Sequence, residues 1–193
     1  TDDLEQMLDR VLVEVLEIFQ CERAVFGRHA GQTETGSFTL LAKRERPGFA
    51  LERSPGLEVA ADANLSLMSA ELKAAGGPVQ WVLGAVPAET ARVLERLGVQ
   101  STLSMPIEPK TERRDHIFVF ALRQCTYPRV WTAEEVRLFQ EIGWRLGDAM
   151  ATLSTLRDLR ESEQKLEAAQ RIAHVGWWER DYVTGRISLS DEV

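Results

Sequence analysis

From Leu4 to Phe19 the large apolar residues Leu4, Leu8, Val11, Val15, Ile18 and Phe19 recur at mostly three- and four-residue steps. That spacing predicts an amphipathic helix, and Met7 and Leu12 widen its buried face. The pattern then changes to period two. Ala24 and Phe26, and after them Phe38, Leu40 and Ala42, alternate with polar or small neighbours on either side of the Gly- and Thr-rich stretch 31–36. Two strands of a hairpin are predicted there.

Stretch 43–56 carries Pro47, Gly48, Pro55 and Gly56 and reads as loop around one short strand. Asp62 is placed to cap a helix bearing Leu65, Met68, Leu72 and Ala75, which Gly76, Gly77 and Pro78 should end. A short strand over 79–83 precedes a second helix opened by Pro87, with Ala91, Leu94 and Leu97 facing inward and Gly98 closing it. Leu103, Met105 and Ile107 alternate with Thr102 and Ser104 in the next strand. Residues 117–122 are apolar on both faces, as a fully covered central strand requires, and 108–116 form a charged loop between the two.

Thr132 and Glu135 make a T-x-x-E capping box, and the helix it opens runs long. Ile142, Leu146, Ala149, Leu153 and Leu156 step by alternating fours and threes. Leu159 then comes one step early, a phase slip, and the seam thins through Leu166 and Ala173. About forty residues without proline would make a rod of about 60 Å. Arg157, Arg160, Lys165 and Arg171 balance Asp158, Glu161, Glu163 and Glu167, the mixed-charge surface of a two-stranded coil. Beyond it, Trp177 and Trp178 open a strand–turn–strand too short to bury them alone.

Composition narrows the function. In 193 residues the net charge is −7, and the isoelectric point is near 5.1. Such a surface disfavours nucleic acid and anionic membranes, and no apolar run is long enough for membrane insertion. Two cysteines, Cys21 and Cys125, make no disulfide framework and fit a reducing cytoplasm. The chain lacks an initiator Met and stops in a strand-like stretch, so it reads as a piece of a longer protein. No phosphate-cradling loop, nucleophile elbow or paired metal-ligand spacing occurs, so no catalytic residue and no metal site is expected. The three histidines, His29, His116 and His174, are not spaced as ligands, and His116 with Asp115 and Glu112 reads as a solvated loop cluster. Glu134 and Glu135 complement a helix dipole. The tryptophans read first as core. The functional alternative is a small-molecule cavity walled by Met68, Trp81, Leu103 and Met105.

Two stretches are recognisable. Val99-Gln-Ser-Thr-Leu-Ser-Met-Pro-Ile107, then Phe118 to Cys125 ending Gln-Cys, then Pro128-Arg-Val-Trp-Thr-Ala-Glu-Glu135 resembles the second half of a GAF domain of the phytochrome-like and sensor-kinase type. Ala169-Gln-Arg-Ile-Ala-His-Val-Gly-Trp-Trp-Glu179 is similar to the start of a PAS domain. The resemblance implies an α+β sandwich: an antiparallel sheet of five or six strands, flanking helices, a long C-terminal coiled-coil helix, and a ligand pocket on the face opposite that helix. It divides the chain into a GAF domain over 1–150, a signalling helix over 151–173 and a truncated PAS start over 174–193. It also implies a parent histidine kinase, with downstream PAS and kinase domains as partners in the same chain.

Departures limit what carries over. Bilin-binding relatives attach the pigment through a cysteine falling near Glu89 here, and 88–97 contains none. The N-K-F-D-E signature of cyclic-nucleotide GAF domains is absent, as are a phosphoacceptor box and an ATP site. Hence no cofactor is evident: a non-covalently held small molecule is the remaining candidate, and a covalent bilin is not expected. GAF-fold methionine sulfoxide reductases use cysteines, but Cys21 and Cys125 sit on different elements, so enzymatic activity is not expected. The reading is a cytoplasmic sensory and dimerisation module, with a ligand-free GAF scaffold as the alternative. Its homodimer would form through Leu8, Val11, Leu146, Leu153, Leu156, Leu159 and Leu166.

Overall fold

Helix α1 (Asp2–Phe19) puts Leu8, Leu12, Val15, Leu16 and Phe19 on one side, where all five are buried. The chain leaves it through Gln20, which takes a left-handed backbone at φ 48°, and enters the sheet. The strands are β1 (Arg23–Ala30), β2 (Ser37–Glu45), β3 (Glu58–Ala60), β4 (Val79–Val82), β5 (Ser101–Ile107) and β6 (His116–Gln124). Between them lie α2 (Ala63–Ala75) and α3 (Ala88–Arg96), and after them α4 (Ala133–Ala173), β7 (Trp178–Arg180) and β8 (Ile187–Leu189). This computed structural model describes residues 2–30, 37–49, 58–60, 62–108, 116–173 and 178–189. The stretch 31–36, the loop 109–115, His174, Trp177 and the side chain of His116 lie outside the described residues.

The six strands form one antiparallel sheet in the order β3-β2-β1-β6-β5-β4. Each face carries its own core. On one, α1 and α4 cover Phe26, Leu103, Met105, Ile107, Phe120 and Leu122. On the other, α2 and α3 cover Trp81, Val99 and Val119. Full burial of such side chains contributes about 1.5–3 kcal/mol each, so two covered faces leave the strands little choice of register.

The caps are those the sequence prescribes. Asp62 Oδ1 accepts the Leu65 amide at 2.9 Å, and Gly76 closes α2 in the left-handed region at φ 61°. Thr132 Oγ1 accepts the Glu135 amide at 3.2 Å, and Glu135 Oε2 accepts the Thr132 amide at 2.7 Å, completing the capping box of α4. In α4, Phe139, Gly143, Leu146 and Met150 turn onto the sheet, and Phe120 and Phe139 stack at 4.6 Å.

The chain divides into two compact units, 1–151 and 152–193. The first contains the sheet and the two cores. In the second, the end of α4 is followed by the hairpin of β7 and β8, whose turn is held by Asp181 Oδ1 accepting the Val183 and Thr184 amides. Trp178, Tyr182, Val183 and Ile187 of this hairpin are exposed.

Leu8 and Leu146, assigned from the sequence to a partner-facing seam, are core residues of their own domain, 1% and 4% exposed. The turn of the helix explains the difference: Leu146 shares a face with Phe139 and Met150, which the sheet already covers. Val11 is half-buried against the same core and Leu153 is half-buried. Leu156, Leu159 and Leu166 are 44%, 54% and 61% exposed.

Candidate functional site

Where α2 and α3 cross the sheet they do not close on it. A partly open cavity of about 130 Å3 remains, on the sheet face opposite α4. Its floor is Val25 of β1, Phe38 and Leu40 of β2, Val119, Ala121 and Arg123 of β6, and Thr102 and Ser104 of β5. Trp81 of β4 forms one wall; Met68, Ser69 and Leu72 of α2 and Val93 and Arg96 of α3 form the roof.

Small side chains make the hole. Strand β5 alternates Thr102 and Ser104 with Leu103 and Met105. The large residues fill the α1/α4 side, and the hydroxyls, with Ala121 beside them, leave room on the α2/α3 side. Trp81 pairs with Thr102 across β4 and β5, so the indole shares the hydroxyl face.

Four residues were expected to wall a pocket. Met68 and Trp81 do. Leu103 and Met105 do not: alternation puts them on the other side of the sheet, in the core under α1 and α4. Sequence reasoning missed Ser69, Thr102, Ser104, Ala121, Arg96 and Arg123. The signal that could have found them is the run of small residues opposite large ones in β5.

Polar groups are few and placed. Trp81 Nε1 donates to Glu71 Oε2 on α2 at 3.2 Å, which ties the wall to the roof helix. Thr102 Oγ1 donates to the Leu122 carbonyl at 3.0 Å and lies 3.0 Å from Ser104 Oγ. Two guanidinium groups reach the lining. Arg96 pairs with Asp62, and its hydrogen bond holds the Asp62 carboxyl below the usual carboxylate range, helped by the Leu65 amide. Arg123 is buried in the floor.

The two thiols lie on opposite sides of the sheet. Cys21 is buried in the α1/α4 core, and burial pushes its pKa up to about 11. Cys125 packs against the α2/α3 cluster, and its thiol is also pushed up, first by burial. Next to it, Glu22 accepts the Cys125 amide at 2.5 Å and the Thr126 amide at 3.0 Å. Both cysteines thus favour the neutral thiol. Buried His29 is held below its ordinary pKa by desolvation. Among the described residues no cluster of three or more His, Cys, Asp or Glu could hold a metal ion.

The GAF domain family model matches residues 3–150, which take in the sheet, α2, α3, nearly all of α1 and the first part of α4. The chain belongs to the GAF domain family. GAF domains are sensory modules, and this GAF domain has many relatives of known structure. The blue-light-absorbing form of the PixJ GAF domain of Thermosynechococcus elongatus superposes with a TM-score of 0.64 at 16% identity, over 83% of this chain and 92% of that one. A phycocyanobilin-bound GAF domain from a cyanobacterial phytochrome gives 0.63 at 16% identity, over 77% and 85%. The far-red-absorbing dark state of JSC1_58120g3 with bound biliverdin gives 0.62 at 19% identity, over 79% and 92%. No curated protein matches the sequence.

These neighbours correct one expectation. The sequence was read as showing no evident cofactor, at most a non-covalently held small molecule, with a covalent bilin not expected. Its rejection of a bilin rested on one missing cysteine in α3, and a missing anchor at one place says nothing about the cavity beneath it. Structures with this fold carry phycocyanobilin and biliverdin.

Proposed function

We propose that this GAF domain is the sensory and dimerisation module of a signal-transduction protein, and that a bilin occupies the cavity between α2, α3 and the sheet. The observation that carries the reading is the cavity itself: an apolar and aromatic enclosure with two guanidinium groups in its lining. A bilin is a conjugated, largely apolar chain bearing two propionate carboxylates, and the donor set suits it. Phe38, Met68, Trp81 and Val119 would flank the rings, Arg96 and Arg123 would face the carboxylates, and Ser69, Thr102 and Ser104 would offer hydroxyls. When bound, such a group supplies absorption of visible light; the chain supplies walls, charges and exclusion of water. In volume the cavity is nearer to an engineered one of about 150 Å3 that takes a single benzene. Four rings therefore require it to widen at its open side.

The output side of the proposal is a homodimer joined through α1 and α4, feeding a downstream PAS and histidine kinase region. The apolar seam continuing through Leu156 and Leu159 supports it, as does the similarity of 169–179 to a PAS entry.

Titrating biliverdin into the purified chain tests the ligand. Visible absorption should change saturably at one bilin per chain, and Ser69→Leu, which fills the cavity from α2, should weaken binding at least tenfold. Zinc-induced fluorescence on a denaturing gel reports whether the bilin becomes attached. Absence of saturable binding would favour the ligand-free scaffold, and binding indifferent to Ser69→Leu would place the bilin outside this cavity.

A further inference from the structure

Adjacent residues of β4 look in opposite directions. Trp81 points into the cavity, while Gln80, opposite Leu103, points to the α4 side. There its side-chain amide makes two hydrogen bonds to one residue: Oε1 accepts the Trp131 amide at 2.8 Å, and Nε2 donates to the Trp131 carbonyl at 3.2 Å. The Gln80 side chain thus pairs with the backbone of Trp131 as a neighbouring strand would. Trp131 immediately precedes Thr132, the capping residue of α4.

The same short segment is tied in three further directions. The Arg129 amide donates to Ser101 Oγ at 2.9 Å, its Nη2 donates to Glu135 Oε1 at 2.7 Å, and its Nη1 donates to the Gln20 carbonyl at 3.3 Å. Its guanidinium lies 5.4 Å from the centre of the Trp131 ring. Burial raises the Glu135 carboxyl, but the Thr132 amide and Arg129 outweigh it, so Glu135 is held below its ordinary pKa and the cap stays charged. The segment 129–132 therefore joins the end of α1, the start of α4 and the cavity-side strand.

From this geometry we infer that the Gln80–Trp131 pair is the mechanical link between the cavity and the signalling helix, with Gln80 as a positioning residue. It rests on the sensory reading of the cavity and adds its route of output. Strand β4 is an edge strand paired only with β5, over four residues, so the sheet holds this cavity wall from one side. An occupant that displaces Trp81 turns β4 about its single partner, and Gln80 on the opposite side pulls on Trp131. A segment fastened to both α1 and α4 then shifts the two helices together. Coupling through packed and hydrogen-bonded contacts of this kind runs to roughly 2- to 30-fold in equilibrium terms.

Amide hydrogen exchange in the whole chain, without any bilin, tests the link separately from the ligand. Met68→Ala changes the cavity roof across from Trp81. In the otherwise unchanged chain it should speed exchange of the Trp131, Glu135 and Val136 amides roughly threefold or more beyond the change in β1 and β6 amides. In a Gln80→Met background, which keeps the side-chain length and removes both hydrogen bonds, that excess should vanish. Should Gln80→Met fail to fold, Gln80→Asn keeps the amide but shortens its reach, with the same expected loss. An excess that persists without the Gln80 bonds, or no excess in either background, overturns the inference. Biliverdin binding is measured independently, so the failure of the link and the failure of the ligand proposal are told apart.

Discussion

At Gly143 the backbone of α4 packs against Met105 and Ile107 of β5, and replacing it by alanine measures how tightly that contact is set. A Cβ built there would lie 2.1 Å from Met105 Sδ, 2.6 Å from Met105 Cε and 3.1 Å from Ile107 Cδ1. Two opposing effects follow. Alanine favours the helix over glycine by about 1 kcal/mol. Overpacking costs about 1–3 kcal/mol when the neighbours cannot move aside. A methionine end is flexible, but Met105 is 1% exposed and Ile107 2%, and both sit in the core under α1 and α4. The steric term should win, for a net loss of up to about 2 kcal/mol. In a Met105→Val background the clash with Sδ and Cε is gone, so the same substitution should become neutral or stabilising, by up to about 1 kcal/mol. Urea unfolding followed by tryptophan fluorescence, run as a double-mutant cycle, gives the coupling directly. Equal effects of Gly143→Ala in both backgrounds would refute the reasoning, because the contact would then not be what glycine accommodates.

Other consequences follow from single residues. Asp62→Ala removes the side-chain cap of α2 and should cost about 1 kcal/mol in urea unfolding; by freeing Arg96 it should also tighten biliverdin binding, and weaker binding would remove Arg96 from the site. Leu156→Asp with Leu159→Asp should shift the mass from light scattering from twice the chain towards one, and an unchanged dimer would place the interface elsewhere. Because burial raises Cys21 from an ordinary 9.0 to about 11, the stability gained by keeping it neutral is complete below pH 9 and is lost as pH rises towards 11. Cys21→Ala should flatten that alkaline limb of the urea midpoint; a limb as steep as before would assign it to other groups.

Element order was readable because periodicity and caps agree at almost every step. The Asp62 and Thr132 caps, the Gly76 stop and the doubly apolar strand at 117–122 each carry their own physical signature. The site was half readable. Trp81 and Met68 stand out as large residues on short elements, but which residues of β5 share their side depends on strand register. That register comes from pairing over a distance in sequence, and both sides of β5 are buried, so hydropathy cannot choose between Leu103 and Thr102. Two positions of the partner seam, Leu8 and Leu146, were misplaced for a related reason. A leucine every three or four residues marks a face, but Leu146 shows that the face can be covered by the chain's own sheet. Gln80 was invisible because its partner is the backbone of Trp131, which no side-chain pattern reveals.

A crystal structure of the chain grown with biliverdin tests the central claim most directly. The account predicts ligand density between α2, α3 and the sheet, against Met68 and Trp81, with Arg96 turned from Asp62 towards a carboxylate. Biliverdin bound elsewhere, or a cavity still empty and no wider over Thr102 and Ser104 at saturating ligand, would contradict it.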